Sequence, residues 1–246
     1  MKNYDKIYNF HKTTIIKNFD KTIPKEEWPE EWKKIQQKGY IRLPQIILSR
    51  QNNCKINKSL FEVLISRKSI REFTDKKKIT ETQLSRLLYF SVGNIDNSFS
   101  RFYPSAGARY PLETYIVVMN KISPKINIGL YHYHVRTHSL ELLWRDDRVS
   151  VDIVKTLDQK WAEKSQIFVI NTAIFSRTSV KYGIRSYRHI MCETGHVGQN
   201  YYLVSTALGL GCCAIGGYKD RKINELLDID GTEEAVIALH AIGVPN

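Results

Sequence analysis

The amino-acid sequence predicts an α+β protein. Strand-like and helical segments follow one another without the regular βαβ alternation of a parallel α/β protein. Residues 167–174 form an almost continuous apolar run, which is typical of a strand buried on both faces at the centre of a sheet. Residues 187–210 carry apolar side chains at helical spacing, so the sequence also predicts one long helix, which Gly209 and Gly211 can end.

Shorter elements are indicated by local signals along the rest of the chain. The sequences SLFE at 59–62 and TETQ at 80–83 are capping boxes, in which side chains satisfy the free amides at a helix start. Two helices are therefore expected to begin there, and Gly93 can end the second. The other predicted elements are strands at 114–119, 130–135, 139–143, 213–215 and 235–242, a helix at 149–161, and a helix that Asp220 caps and that runs through Leu227.

The first 56 residues differ in character from the rest. They are polar and irregular, they contain three prolines, and Trp28 and Trp32 punctuate the stretch KEEWPEEWKKIQQ. We expect an extended arm with one short helix, which packs on the main body or on a second subunit because it has little core of its own. The chain is therefore divided into an N-terminal extension, 1–56, and a single domain, 57–246.

Composition and charge exclude several classes of protein. No apolar run approaches the roughly 20 residues that span a bilayer, and the N-terminus lacks the apolar centre of a secretory signal, so we expect a cytoplasmic protein. The net charge of +12 is compatible with nucleic acid, an anionic membrane, an acidic partner or anionic small molecules, but it is spread along the chain without a nucleic-acid-binding motif, which disfavours nucleic acid. The four cysteines lack zinc spacing, and Glu193 and His196 lack a second Glu-x-x-His, so we expect no metal site.

The segment 66–73, SRKSIREF, is a candidate phosphate site. If it is extended, Arg67, Ser69 and Arg71 share one face at a spacing of roughly 7 Å. Arginine suits a phosphate because it presents paired donors and keeps its charge. The alternative is a solvated basic strand edge, since short basic runs are common.

Two further segments are poor in large side chains. They are Pro104, Ser105, Ala106 and Gly107 in one, and Ile215, Gly216 and Gly217 in the other. Small residues let a backbone approach a flat ligand and leave amides free to donate, although a tight turn explains either segment equally well. Arginine donors for a phosphate, together with two backbone segments that lack large side chains, suit a ligand with an anionic group at one end and a planar ring system at the other. Flavin mononucleotide (FMN) fits this description, whereas the dinucleotide fingerprint G-x-G-x-x-G is absent.

At these segments the sequence resembles the nitroreductase-like flavoenzymes. It is most similar to their SagB-type branch, the azoline dehydrogenases of thiazole/oxazole-modified peptide biosynthesis. The matching pieces are SRKSIREF at 66–73, PSAGARYPLE at 104–113, YR at 187–188, ETGHVGQN at 193–200, GLG at 209–211, IGG at 215–217 and IGVP at 242–245. The resemblance implies a nitroreductase-like fold: a central mixed, mainly antiparallel sheet flanked by helices, with the long helix at a dimer interface.

The resemblance also implies FMN bound at the interface of a homodimer. Arg67, Ser69 and Arg71 would contact its phosphate and ribityl end. The isoalloxazine ring would lie between the wall Pro104, Ser105, Ala106, Gly107 and the cover Ile215, Gly216, Gly217. Many simple nitroreductases carry a basic pair after the last strand that binds the phosphate. Here Pro245-Asn246 stands in that place, so another cation is expected to substitute, with Arg188 and Arg221 as candidates.

A Lys-Tyr pair is assigned to catalysis in the SagB-type branch, and Lys181-Tyr182 lies in the matching context SVKYGIRSYR, 179–188. Because a neighbouring ammonium favours a phenolate, we expect a lowered pKa for Tyr182 and a usable base. The alternative is a solvated basic segment. The implied reaction oxidises a thiazoline or oxazoline ring in a peptide or small-molecule intermediate, with hydride passing to flavin N5.

Two other functions stay open. One is an NAD(P)H-dependent nitroreductase or flavin reductase. The other is a flavin-binding scaffold subunit that assists a partner cyclodehydratase in a heterocyclase complex.

Overall fold

The structure is a computed structural model that describes residues 3–15, 24–33, 37–50, 58–95 and 98–246. The α-helices in these ranges are α1 (Asn3–Thr13), α2 (Glu30–Lys33), α3 (Leu60–Ser66), α4 (Glu81–Val92), α5 (Arg148–Lys155), α6 (Ser176–Tyr182), α7 (Ser186–Ala207) and α8 (Asp220–Leu227). Short 3-10 turns occur at Lys25–Glu27, Ala106–Ala108, Lys160–Lys164 and Gly183–Arg185. Among the helices of these ranges, none combines the length and the apolar character that crossing a bilayer requires.

One sheet organises the molecule. Its strands are β1 (Gln45–Ile47), β2 (Leu112–Val118), β3 (Gly129–His134), β4 (Ser139–Trp144), β5 (Ile167–Ile174), β6 (Gly211–Ile215) and β7 (Glu234–Gly243), in the spatial order β1-β4-β3-β2-β5-β7-β6. All pairings between these strands are antiparallel, and in the described ranges parallel pairing is limited to an isolated bridge between Ser69 and Cys212. The prediction of an α+β protein is confirmed.

The sheet is buried on both faces, which explains the apolar run at β5. Ile167 and Val169 belong to the core beneath α4 and α7, whereas Phe168 and Ile170 belong to the core beneath α5 and α8. Successive side chains of a strand point to opposite faces, so a central strand between two helical layers must be apolar at nearly every position. The predicted central strand is therefore confirmed.

Local signals located several elements accurately. Both capping boxes form: Ser59 accepts from the amide of Glu62, and Thr80 accepts from the amide of Gln83. The helix predicted at 149–161 is shorter and ends at Lys155. Thr156 donates its hydroxyl to the carbonyl of Ile153 at 2.6 Å and so competes with helix continuation.

The N-terminal extension contains more regular structure than the expected arm with one short helix. It contributes α1, α2 and the edge strand β1, which pairs with β4. The end of α1 contacts the start of α7, where Arg185 and Arg188 donate to the carbonyl and hydroxyl oxygens of Thr14 at 2.9 and 2.6 Å. These contacts tie the described parts of the extension to the body, while the boundary at residue 56 stays a prediction.

Candidate functional site

The long helix α7 separates two groups of predicted site residues. Glu193 and Tyr202 are nine residues apart on this helix, which corresponds to two and a half turns and about 13 Å along its axis. Glu193 accepts a hydrogen bond from Ser105, and Tyr202 shares one with Ser69. The two groups therefore flank α7 on opposite sides.

The first group, the Gly107 cluster, consists of Ser105, Gly107, Lys181, Tyr182 and Glu193. Its backbone turn has positive φ angles at residues 107, 108 and 110, of 60°, 53° and 47°. Ser105 holds the turn together, because its hydroxyl accepts from the amide of residue 110 at 2.9 Å and donates to Glu193 Oε2 at 2.6 Å. Residues other than glycine rarely adopt this left-handed backbone conformation, and the turn leaves the peptide of Gly107 exposed.

The predicted catalytic pair lies directly against this turn. A Cβ atom placed on Gly107 would lie 2.5 Å from Tyr182 Oη and 3.2 Å from Lys181 Nζ. Both reactive atoms therefore touch a surface from which side chains are absent. The structure brings together the predicted ring wall and the predicted Lys-Tyr pair, which are about 75 residues apart in the chain.

The electrostatics of the pair correct one expectation. Burial raises the pKa of Tyr182, and the opposing effect of the Arg109 guanidinium is smaller. Burial also lowers the pKa of Lys181, and the positive charge of Arg109 adds to that effect. The expected lowering of the Tyr182 pKa is therefore wrong. The surroundings favour a neutral phenol at Tyr182 and an amine at Lys181 that gives up its proton more readily.

Glu193 is the buried acid of the Gly107 cluster, with only 2% of its surface exposed. Burial raises its pKa to about 7, against the hydrogen bond from Ser105 and the charge of Arg101, which lower it. Its Oε1 atom has no hydrogen-bond partner among the described residues. On the same helix His196 and Gln199 are exposed, so Glu193 is buried apart from them.

A buried ion network, which sequence reasoning missed, supports α6 from below. Arg177 in α6 pairs with Glu113 of β2 at 2.6 Å. His132 lies between Glu113 and Glu141, at 3.1 and 2.7 Å. Burial alone would raise the pKa of Glu113, but the His132 hydrogen bond and the Arg177 charge together lower it to about 2. The isolated acids inside apolar strands, Glu113 in β2 and Glu141 in β4, are the signal that could have revealed this network.

Arg109 connects the Gly107 turn to its neighbours. Its side chain is 2% exposed, and its Nε donates to the carbonyl of Arg177 at 2.6 Å. Its two terminal nitrogens donate to the carbonyls of Trp32 and Glu31 at 2.7 and 2.9 Å. One guanidinium thus joins the turn, α6 and the N-terminal extension, and this role was also missed.

The second group, the Arg67 cluster, consists of Arg67, Ser69, Tyr202, Ala214 and Gly216. The guanidinium of Arg67 lies 5.5 Å from the centroid of the Tyr202 ring. The Tyr202 hydroxyl accepts from the amide of Ala214 at 2.8 Å and bonds Ser69 Oγ at 3.2 Å. Tyr202 of α7 therefore connects the predicted phosphate segment, 66–73, to the strand that leads into Ile215, Gly216 and Gly217.

An open groove of about 550 Å³ runs beside the Arg67 cluster, a size typical of small-molecule sites. Its lining includes Ile215, Gly216, Tyr202 and His240. A Cβ on Gly216 would meet no atom within 4 Å, whereas one on Gly217 would lie 2.5 Å from Gln159 Nε2. Gly216 is thus the bare surface of the groove, and Gly217 is instead packed inside the chain.

The other predicted positions are less closely joined to these clusters. Arg71 and Pro104 are exposed, and Ala106 is half-buried in the Gly107 turn. Arg188 donates to Thr14 and Arg221 pairs with Glu225, so both candidate substitutes for the missing basic pair are engaged elsewhere. Arg67 contacts the groove indirectly, since its guanidinium lies over the ring of Tyr202, which lines the groove.

The residues present fit a flavin in chemical character. The groove at Gly216 and the turn at Gly107 both offer peptide surface without side chains, and Arg67 with Ser69 offers charged and neutral donors for a phosphate. These features lie on both sides of α7 rather than around a single cavity of one chain.

Comparison with known proteins places this architecture in a family. The model of the family described as Nitroreductase matches residues 64–244, and the chain belongs to the nitroreductase family. It is 36% identical to the Methanocaldococcus jannaschii protein named Putative nitroreductase MJ1384, over 69% of this chain and 84% of that protein. It is 28% identical to the Microcin B17-processing protein McbC of Escherichia coli, over 71% and 65% of the two chains.

Two solved structures share the fold. One is the E. coli microcin synthetase McbBCD complex with truncated pro-MccB17 bound, with a TM-score of 0.65 and 22% identity over 98% of this chain and 92% of that one. The other is an FMN-dependent nitroreductase of Clostridium difficile R20291, with a TM-score of 0.51 and 15% identity over 75% and 86%. Family membership supports an oxidoreductase with a flavin cofactor.

Proposed function

We propose that this protein is an FMN-dependent dehydrogenase that oxidises thiazoline or oxazoline rings to thiazoles or oxazoles. The substrate would be a ribosomal peptide or a related natural-product intermediate. The similarity to a protein named for microcin B17 processing supports this substrate class. The observation that carries the proposal is the contact of Lys181 Nζ and Tyr182 Oη with the bare turn at Gly107.

The flavin would be held by residues of both clusters. Arg67 and Ser69 would bind the phosphate, the Gly216 groove would cover one face of the ring, and the Gly107 turn would line the other. Bound FMN would accept two electrons. Oxidation of an azoline would transfer a hydride to the flavin and a proton to a base, and molecular oxygen would be the terminal oxidant.

The protein's own part in the reaction is proton transfer and positioning. Lys181 would take the proton from the azoline ring, since burial and Arg109 lower its pKa. Tyr182, whose pKa is raised, would stay protonated and donate a hydrogen bond that orients the ring. Gly107 lets both groups approach the reacting ring, because any side chain at this position would occupy the space of the Tyr182 hydroxyl.

A second copy of the chain would complete the site. In one chain the two clusters lie on opposite sides of α7, about 13 Å apart along its axis. A flavin held by Arg67 of one protomer could meet the Gly107 cluster of its partner across this helix. The exposed surface of α7, which includes Gly195, His196 and Gln199, leaves room for such an approach. We therefore propose a homodimer with two equivalent sites.

The proposal is tested by purifying the protein and identifying any cofactor released on denaturation. Flavin absorbance with FMN in the supernatant is expected. The holoenzyme is then mixed anaerobically with an azoline peptide, and bleaching of the flavin band is followed. A colourless protein that neither binds added FMN nor gains thermal stability from it would overturn the proposal.

A second function is favoured by the 36% identity to a protein named as a nitroreductase. In that case NADH or NADPH, and not the azoline, would bleach the flavin in the same anaerobic experiment. A scaffold role beside a partner cyclodehydratase predicts a third result: neither compound bleaches the flavin, while azoline formation by the partner depends on this chain.

A further inference from the structure

The segment 24–33 of the N-terminal extension covers the Gly107 cluster. The indole nitrogen of Trp32 donates to the carbonyl of Val180 at 3.0 Å, directly beside Lys181. Arg109 fixes the same segment from the other side through the carbonyls of Glu31 and Trp32. The segment lies before the family-matched region, which begins at residue 64. Its contacts therefore lie outside the region that the family model covers.

Two tryptophans of this segment form a seat for the Lys181 ammonium, here called the indole seat. Lys181 Nζ lies 3.6 Å from the centroid of the Trp28 ring and 5.7 Å from that of Trp32. The two indoles contact each other edge to face, with centroids 6.1 Å apart. An ammonium over an indole face is attracted by the negative face of the ring, so Trp28 restrains the end of a flexible four-carbon side chain.

The choice of an aromatic partner over an acid has a chemical consequence. Within the part of the chain that the structure describes, no carboxylate lies within ion-pairing distance of Lys181. A carboxylate would also restrain the ammonium, but it would stabilise the charged form strongly and make a poor base of the lysine. A neutral indole also restrains the lysine side chain, but it stabilises the charged form of the lysine less than a carboxylate does.

From these contacts we infer that Trp28 is a positioning residue, which holds Lys181 Nζ against the Gly107 turn so that the N-terminal extension forms part of the catalytic site. The inference rests on the proposed role of Lys181 in proton transfer. Trp28 itself need not touch the substrate. Trp32 completes the seat, and its hydrogen bond to Val180 keeps the segment in register with α6.

The first test measures the amine directly and does not depend on the substrate. The FMN-loaded protein is acetylated briefly with acetic anhydride, and the labelling of Lys181 relative to Lys125 is measured by peptide mass spectrometry. Trp28→Leu removes the ring that covers and stabilises the ammonium, so Lys181 should label roughly 2- to 30-fold faster. Trp28→Phe keeps an aromatic ring face over the ammonium, so its rate of Lys181 labelling should lie between those of wild type and Trp28→Leu. Trp144→Leu, a matched change at an exposed tryptophan of β4, should leave Lys181 labelling unchanged.

The second test uses turnover of an azoline peptide. Trp28→Leu should lower kcat by roughly the same factor with little change in KM, and Trp28→Phe should recover most of the loss. Equal Lys181 labelling in wild type and Trp28→Leu would overturn the indole seat, whatever the reaction. Faster labelling combined with no azoline oxidation by wild type would instead retain the seat and reject the proposed reaction.

Discussion

The two glycines of the candidate site, Gly107 and Gly216, are bare for different reasons. Gly107 has a φ of +60°, and a side chain there would collide with Tyr182. Gly216 meets no atom within 4 Å of an added Cβ. The need for glycine at 107 therefore arises within one chain, whereas any need for it at 216 must come from a ligand or a second copy. The Gly107 cluster is packed within one chain, whereas the Arg67 cluster would be a half-site in the proposed dimer.

The largest effect is expected at Lys181 and Tyr182, the proposed catalytic pair of the Gly107 cluster. Lys181→Ala should lower kcat for azoline oxidation by ~10²–10⁴-fold, because a positioned base is lost, while FMN stays bound. Tyr182→Phe should also lower turnover and retain FMN. The measurement is the loss of two hydrogens per ring by mass spectrometry, with Lys125→Ala as an exposed control. Unchanged turnover in both variants would remove the pair from the mechanism.

The next prediction concerns how completely Glu193 is buried in the Gly107 cluster. Burial raises the pKa of Glu193 from 4.5 to about 7, so the folded state binds its proton more tightly than the unfolded state. Its contribution to stability is thus full below pH 4.5 and decreases as the pH rises to about 7, by at most about 3 kcal/mol. Glu193→Gln should lose this pH dependence.

Chemical denaturation at pH 5 and pH 8 measures the difference. The difference in the free energy of unfolding, Glu193→Gln minus wild type, should be more positive at pH 8 than at pH 5. Glu163→Gln, at an exposed position of a 3-10 turn, should keep the wild-type pH profile. Parallel profiles for wild type and Glu193→Gln would mean that water reaches the Glu193 carboxyl.

An intermediate effect is expected in the Arg67 cluster. Arg67→Ala should weaken FMN binding by about 10- to 100-fold, the value of a hydrogen bond to a charged group. Riboflavin has no phosphate, so its affinity should change little. Flavin fluorescence titrations give both values, with Arg221→Ala as a control at an exposed, paired arginine. Equal losses for FMN and riboflavin would place the phosphate elsewhere.

The smallest effect compares the two glycines directly, in protein freed of flavin. Gly107→Ala should destabilise the fold by about 1–2 kcal/mol, because a left-handed backbone disfavours a side chain. Gly216→Ala should leave the unfolding midpoint unchanged but weaken flavin binding. Denaturant titrations of the two variants, with and without FMN, decide the matter. Equal destabilisation by both substitutions would contradict the view that only one cluster is complete in a single chain.

The parts of the fold that the sequence could predict depend on short-range signals. The capping boxes at Ser59 and Thr80 follow from residues a few positions apart. The helix ending at Leu227 was also predicted, but its predicted cap was wrong, because Lys219 is the N-cap and Asp220 is the first helical residue. The two-sided burial of β5 follows from its unbroken apolar run. The end of α5 at Lys155 was missed although a local signal, the Thr156 hydroxyl that bonds the carbonyl of Ile153, was available, and the bridge between Leu157 and Tyr218 that follows is tertiary and has no local pattern.

The candidate site divides in the same way. Segments with a distinctive composition, at Arg67, Gly107 and Gly216, could be recognised one by one. Their partners could not: Trp28 and Lys181 are 153 positions apart, and either residue alone resembles ordinary surface composition. The direction of the Tyr182 pKa was wrong because adjacency in sequence does not determine burial, and burial has the larger effect.

The three-way bonding of Arg109 has a consequence for any shortened form of this protein. A chain cut back to the family-matched core would lose the carbonyls of Glu31 and Trp32, which accept from the buried guanidinium. The loss of two acceptors from a buried charged donor destabilises the surrounding fold. Removal of the leading segment would therefore disturb the turn that carries Gly107, so low activity in a truncated protein would reflect a distorted active site rather than a dispensable tail.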